Sequence, residues 1–268
     1  MVNLIIKTFK RYAWFKRFNA KITYELLAKY IPAEDWHFMN YGYEPNADEA
    51  PLRLNDSVLQ RYPLQMYHYL AVKTSITDKD VLEVGSGRGG GARYLASALN
   101  PNSYVGLDLA QSAVDLANKV HQQSNLKFIQ GSAEEIPVES SSMDVVINVE
   151  SSHCYGSVDK FLSEVKRVLK PNGYLLMVDF RNEVKNMELF QEQIKNSGLE
   201  LVQEENISKN VIAAIEAENP AKVKRIEELV PKRWQKLFSD FAGVVGSRFY
   251  NTLKDGTRGY YRFVLRKK

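Results

Sequence analysis

Apolar positions along the chain fall into two regimes. In the first, Val2, Ile5 and Phe9, then Phe15, Phe18, Ile22 and Leu26, recur every three or four residues, the spacing of one face of an amphipathic helix. An aromatic stretch follows between Pro32 and Pro51, with Trp36, Phe38, Tyr41 and Tyr43, and a helix is predicted from Asp56 to about Thr74 with Pro63 as its kink or start. From Val81 the pattern changes. Val81–Val84, Tyr104–Leu107, Leu126–Ile129, Val145–Val149 and Tyr174–Phe180 are short apolar runs of strand length. Gly91–Ala98, Ser112–His121 and Val158–Leu169 between them have helical spacing. Strand and helix in alternation predict a parallel sheet covered by helices on both faces.

Further along, the turn Lys170-Pro171-Asn172-Gly173 is expected to stop a helix and open the fifth strand. Met187–Ser197 predicts a helix and Leu199–Ile207 a strand. Residues 208–243 read as mostly helical, broken at Pro220 and Pro231, and Gly256–Leu265 as a last strand. Two divisions follow: residues 1–75 as a helical N-terminal lid, and 76–268 as a core carrying the 208–243 insertion.

Composition narrows the class. The chain has 268 residues, 44% hydrophobic and 25% charged, with 15 Gly and 9 Pro, which is the balance of a folded globular protein. One cysteine, Cys154, permits neither an internal disulfide nor a cysteine-based zinc site, in keeping with a cytoplasmic protein. The net charge of +4 is too small to argue for nucleic acid. Six basic and no acidic side chains lie in residues 1–24, so weak contact with an anionic membrane surface is an alternative use of that segment.

Candidate chemistry concentrates after the first strand, in Glu83-Val84-Gly85-Ser86-Gly87-Arg88-Gly89. Glycine allows a tight turn there and lets a ligand approach the backbone. Asp108 ends the next strand 21 positions after Gly87, where doubly wound folds place a carboxylate on ribose hydroxyls. No Gly-Lys-Ser/Thr is present, which excludes a phosphate-cradling P-loop. Gly85-x-Gly87-x-x-Gly90 also satisfies the dinucleotide fingerprint, so spacing leaves the choice among adenosine cofactors open.

The stretch Val81–Arg181 resembles the class I, Rossmann-like methyltransferases that use S-adenosyl-L-methionine. Glu83–Gly89 resembles their first motif, Gly106-Leu107-Asp108-Leu109 the second, Gly131–Pro137 the adenine-contacting loop, and Met143–Asn148 the fourth strand. Asp80–Gly91, Asn148–Tyr155 and Phe38–Tyr43 are further similar to the phthiotriol/phenolphthiotriol dimycocerosate methyltransferase type, which acts on a hydroxyl of a large lipid-like polyketide. The resemblance implies a seven-stranded doubly wound α/β sheet and S-adenosyl-L-methionine as cofactor, with no metal. It also implies methyl transfer to an oxygen of a polyketide, lipid-like or other specialised small molecule; alternatives are C- or N-methylation, or a cyclase or binder on the same fold. Cofactor contacts are then expected from Glu83, Gly85, Ser86, Gly87, Asp108, Leu109, Ser132, Ala133, Glu134, Asn148 and Tyr41. Ser132 stands where many members carry an acidic residue on the adenine amino group, with Glu134 as substitute. His153 is expected as general base, since an unperturbed imidazole is mostly neutral at pH 7, and Glu150 either orients it or is the base itself.

Overall fold

The computed structural model describes residues 37–50, 52 and 60–268; the predicted N-terminal amphipathic helix and the start of the Asp56 helix lie outside them. The elements, in chain order, are α1 (Arg61–Ala71), β1 (Asp80–Val84), α2 (Gly90–Ala98), β2 (Ser103–Asp108), α3 (Gln111–Val120), β3 (Leu126–Gln130) and β4 (Met143–Val149). They continue with α4 (Val158–Val168), β5 (Leu169–Arg181), α5 (Val184–Asn196), β6 (Glu200–Asn206), α6 (Ser208–Leu229), α7 (Lys232–Ala242), α8 (Arg248–Lys254) and β7 (Gly259–Arg266).

The seven strands form one sheet in the order β3-β2-β1-β4-β5-β7-β6, with β7 antiparallel to both neighbours and the other pairings parallel. This is the doubly wound α/β architecture expected from the alternating pattern. Strand order reverses between β1 and β4, so their carboxyl ends part and leave a crevice, the place where open α/β sheets bind ligands.

Side chains alternate between two apolar layers, as the period of a strand requires. Val145, Ile147 and Val149 of β4 face a cluster that includes Met66 and Leu70 of α1 and Leu95 of α2. Val146 faces the opposite cluster, with Phe161 and Val165 of α4 and Phe190 of α5. Helix α4 begins where Ser157 Oγ accepts the Lys160 amide at 3.2 Å, capping an otherwise unpaired donor.

Two expectations are corrected, and one helix is added. The Lys170–Gly173 turn lies inside β5 rather than before it. Leu169 pairs with Met143 and Tyr174 with Val145, so extra residues bulge out, with Asn172 in the left-handed region at φ 67°. Pro220 does not break the insertion: α6 runs through it. Buried Val211, Ala214 and Ile215 before the proline and Ile226 after it offset a penalty of about 3 kcal/mol. Helix α8 was not signalled by the pattern, because its seven residues are too few to show a helical period. No described helix is long and apolar enough to cross a membrane.

Candidate active site

Strand β1 ends at Val84, and the chain turns through Gly85 and Gly87, both in the left-handed region at φ 80° and 53°. A Cβ at Gly85 would come within 2.4 Å of Ser151 Oγ, so this position requires glycine. A Cβ at Gly87 would meet nothing nearer than Met39 Sδ at 3.8 Å, which leaves that side of the turn open. The turn is held by Leu107 O, which accepts from the amides of Gly85 and Ser86.

A cleft of about 980 Å³ opens over the turn, at the carboxyl ends of β1, β2 and β4. Gly85, Ser86 and Gly87 form its floor, Asp108 and Leu109 one wall, and Ser132, Ala133 and Glu134 another. Asp108 Oδ2 accepts from Gly87 N at 2.8 Å and Oδ1 from Ala110 N at 2.9 Å, so the carboxylate is oriented by the turn it faces. Ser132 Oγ accepts from Glu134 N at 3.1 Å, and Glu134 Oε1 from Gly156 N at 2.9 Å.

Three residues expected in the cleft lie elsewhere. Glu83 is fully buried beneath the turn, where its oxygens accept from Tyr67 at 2.7 Å and Tyr104 at 2.8 Å. Strand alternation sends it to the face covered by α1, away from the cleft. Burial pushes its carboxyl up from 4.5 to about 7, although the two phenols pull the other way. The folded protein therefore holds this proton more tightly than the unfolded chain, and stability is lost as pH rises from about 4.5 to about 7. The melting temperature of the wild type is expected to fall across that window relative to Glu83→Gln; parallel curves from differential scanning fluorimetry would refute this.

Asn148 is also buried below the cleft. Its Nδ2 lies 2.9 Å from Val84 O, 2.8 Å from Ser151 Oγ and 2.9 Å from Tyr155 Oη, so it pins the glycine turn to the segment after β4. Tyr41 stacks on Phe249 at 3.6 Å and donates to Phe241 O. That turns its ring to the far side of the strap formed by residues 37–46, while His37, Phe38, Met39 and Asn40 of the same strap line the cleft.

The two candidates for proton transfer are separated. Glu150 lines the cleft, with its backbone in the left-handed region at φ 48°, a strained conformation for a side chain with a Cβ. Its Oε1 accepts from Tyr41 N at 2.7 Å and from the Tyr260 hydroxyl. Burial pushes its carboxyl up to about 7 against those two hydrogen bonds. His153 lines a neighbouring cleft with Ser152, Phe180 and Arg181; Tyr155 borders both.

Glu150 does not orient His153; Asp179 of β5 does. His153 Nδ1 lies 2.8 Å from Asp179 Oδ1, and the His153 amide donates to Oδ2 at 3.0 Å. Arg181 approaches the same carboxylate at 3.3 Å, and Ser152 Oγ donates to it. Burial alone would raise the Asp179 pKa, but His153 and Arg181 outweigh it and hold the carboxyl well below its usual range. For His153, burial works against the charge, yet Cys154 and Asp179 together lift the imidazole to about 10. Asp179 was missed because it interrupts an apolar strand by a single residue. Its position near the carboxyl end of β5 was the available signal.

Similarity to known proteins agrees with this geometry. Residues 82–177 match a family model described as a methyltransferase domain. The chain is 34% identical over 247 residues to the phthiotriol/phenolphthiotriol dimycocerosates methyltransferase of Mycobacterium leprae, covering 91% of this chain and 90% of that one. It is 34% identical over 274 residues to the fatty-acid O-methyltransferase of Mycolicibacterium smegmatis, covering 98% and 97%. In fold it is similar to geranyl diphosphate C-methyltransferase from Streptomyces coelicolor A3(2), solved with S-adenosyl-L-homocysteine, at a TM-score of 0.69 and 13% identity over 94% of this chain and 98% of that one. The glycine turn, left open at Gly87, and the carboxylate of Asp108 fit the adenosine and ribose of such a cofactor. The chain belongs to the class I methyltransferases that use S-adenosyl-L-methionine as cofactor.

Proposed function

We propose that the protein transfers a methyl group to a hydroxyl oxygen of a lipid-like or polyketide small molecule. The observation that carries this reading is identity at 34% over nearly the whole chain to two relatives whose names both specify lipid acceptors. S-adenosyl-L-methionine, when bound, supplies an electrophilic methyl group. Gly85, Gly87 and Asp108 would hold its adenosine part, with Ser132, Ala133 and Glu134 around the base. The strap at Phe38–Asn40 excludes water and aligns the acceptor. The strap at residues 37–46 and the 208–243 insertion act together as the acceptor-side cover: Glu44 and Asn210 exchange hydrogen bonds, and Tyr41 bonds Phe241.

His153 takes the hydroxyl proton at Nε2, with Nδ1 held by Asp179. The carboxylate that orients the ring also favours its protonated form, so His153 acts as base only through the fraction whose imidazole is neutral. A second assignment has its own support: Glu150, rather than His153, lines the cofactor cleft. Incubation with carbon-13 methyl-labelled cofactor and a panel of long-chain alcohols is expected to give an O-methyl resonance in the product. A C- or N-methyl product, or no release of S-adenosyl-L-homocysteine with any acceptor, would overturn the reading.

A further inference from the structure

A second pocket, open to solvent and of about 460 Å³ with that open space included, lies on the opposite face of the Phe38–Asn40 strap, between it and helices α6 and α7. Its walls are mostly apolar, with Phe38, Met39, Tyr41, Pro63, Phe241 and Ala242. The polar groups facing it are largely committed. Asn40 donates to Pro63 O and accepts from Gly42 N, and Gln60 Oε1 accepts from the amides of His37 and Phe38. Glu218 is buried, 3.2 Å from Lys222 Nζ, and Lys222 also donates to Ala242 O at 3.4 Å.

Two groups are exceptions: Glu218 Oε2, which has the Lys222 ammonium nearby but no hydrogen-bond partner among the described residues, and Arg225. The Arg225 side chain is 17% exposed and lies 4.0 Å from Glu218 Oε1, too far for a hydrogen bond. No described residue hydrogen-bonds its guanidinium, although that group carries five donors. Its donors face the pocket and the solvent that reaches it, so an anion entering there meets a cation that no acceptor among the described residues has claimed. Two cations face one carboxylate here, so the cavity has an excess positive charge.

We infer that this cavity binds an anionic oxygen group, a carboxylate or a phosphate, carried by an apolar acceptor molecule. Arg225 grips the anion through its planar fork and Lys222 adds charge, while the apolar walls take the attached chain. The strap is the partition between this cavity and the cofactor cleft, since Phe38, Met39 and Asn40 line both. An acceptor anchored here lies beside the cleft where methyl transfer takes place. The inference rests on the reading that the acceptor is a lipid-like small molecule and adds its charge.

Calorimetric titration of the full chain, saturated with S-adenosyl-L-homocysteine, tests it with octanoate, octyl phosphate and 1-octanol. At least one anion is expected to bind about tenfold or more tightly than the alcohol, and which of the two is preferred identifies the anionic group. Arg225→Gln is expected to abolish that preference, leaving affinity for 1-octanol and S-adenosyl-L-homocysteine unchanged. Equal binding of alcohol and anions, or a preference that survives Arg225→Gln, would overturn the proposal. Lys222→Met provides the same comparison if Arg225→Gln does not fold. The readout is binding without turnover, so a failure of O-methylation in the labelling experiment leaves this result interpretable, and the reverse also holds.

Discussion

His153→Ala is expected to lower kcat by about 10²–10⁴, the usual contribution of a positioned general base, with little change in S-adenosyl-L-homocysteine affinity. The imidazole must be neutral to accept a proton, and Cys154 and Asp179 hold it up at about 10. The wild-type rate should therefore climb with pH through the alkaline range, rather than level off just above neutrality as an unperturbed histidine would predict. Asp179→Asn removes one of the groups favouring the imidazolium, so that limb should move toward neutral pH. If Glu150 is the base instead, Glu150→Gln carries the loss. His153→Ala then keeps a limb near 7, the value to which burial raises that carboxyl. Steady-state profiles of the three variants separate the two assignments. A folded His153→Ala enzyme with a normal kcat and an unchanged profile would eliminate the histidine.

Asp108→Ala is expected to weaken S-adenosyl-L-homocysteine binding about ten- to a hundredfold, from loss of charge-assisted hydrogen bonds worth roughly 1.5–3 kcal/mol. The structure adds a second reason. Asp108 also accepts from Gly87 N and Ala110 N, so its removal loosens the floor of the cleft along with one wall. Asp108→Asn keeps one oxygen acceptor and should recover part of the affinity. Isothermal titration without added metal measures both, and unchanged affinity in Asp108→Ala would take that residue out of the cofactor site.

Much of the sheet was legible because its strands are buried on both faces and read as unbroken apolar runs. The glycine turn and Asp108 were legible because the chain must bend sharply there, and a carboxylate ends the next strand. Side-chain direction was not. Glu83 and Asn148 are polar residues near strand ends, and sequence position alone does not reveal that one turns toward Tyr67 and Tyr104 and the other under Val84. Tyr41 was expected at the cofactor, but it is the four preceding residues of the same strap, His37 to Asn40, that reach the cleft. Asp179 owes its significance to His153, 26 residues away, and Arg225 to the pocket it faces once α6 packs beside the strap. Those relations exist only once the layers have packed.

The sheet order has a consequence for how the chain is made. Strand β7 is the last of the seven to be synthesised, yet it lies between β5 and β6 and pairs with both. Until it emerges, β5 presents an unpaired edge and β6 lacks the neighbour it has in the finished sheet, the kind of surface that recruits strands from other nascent chains. Tyr260, which holds Glu150, arrives on the same strand. The wall of the cofactor cleft is thus completed in the same event that closes the sheet. A chain stalled on the ribosome before β7 would be exposed to association and lack a finished site.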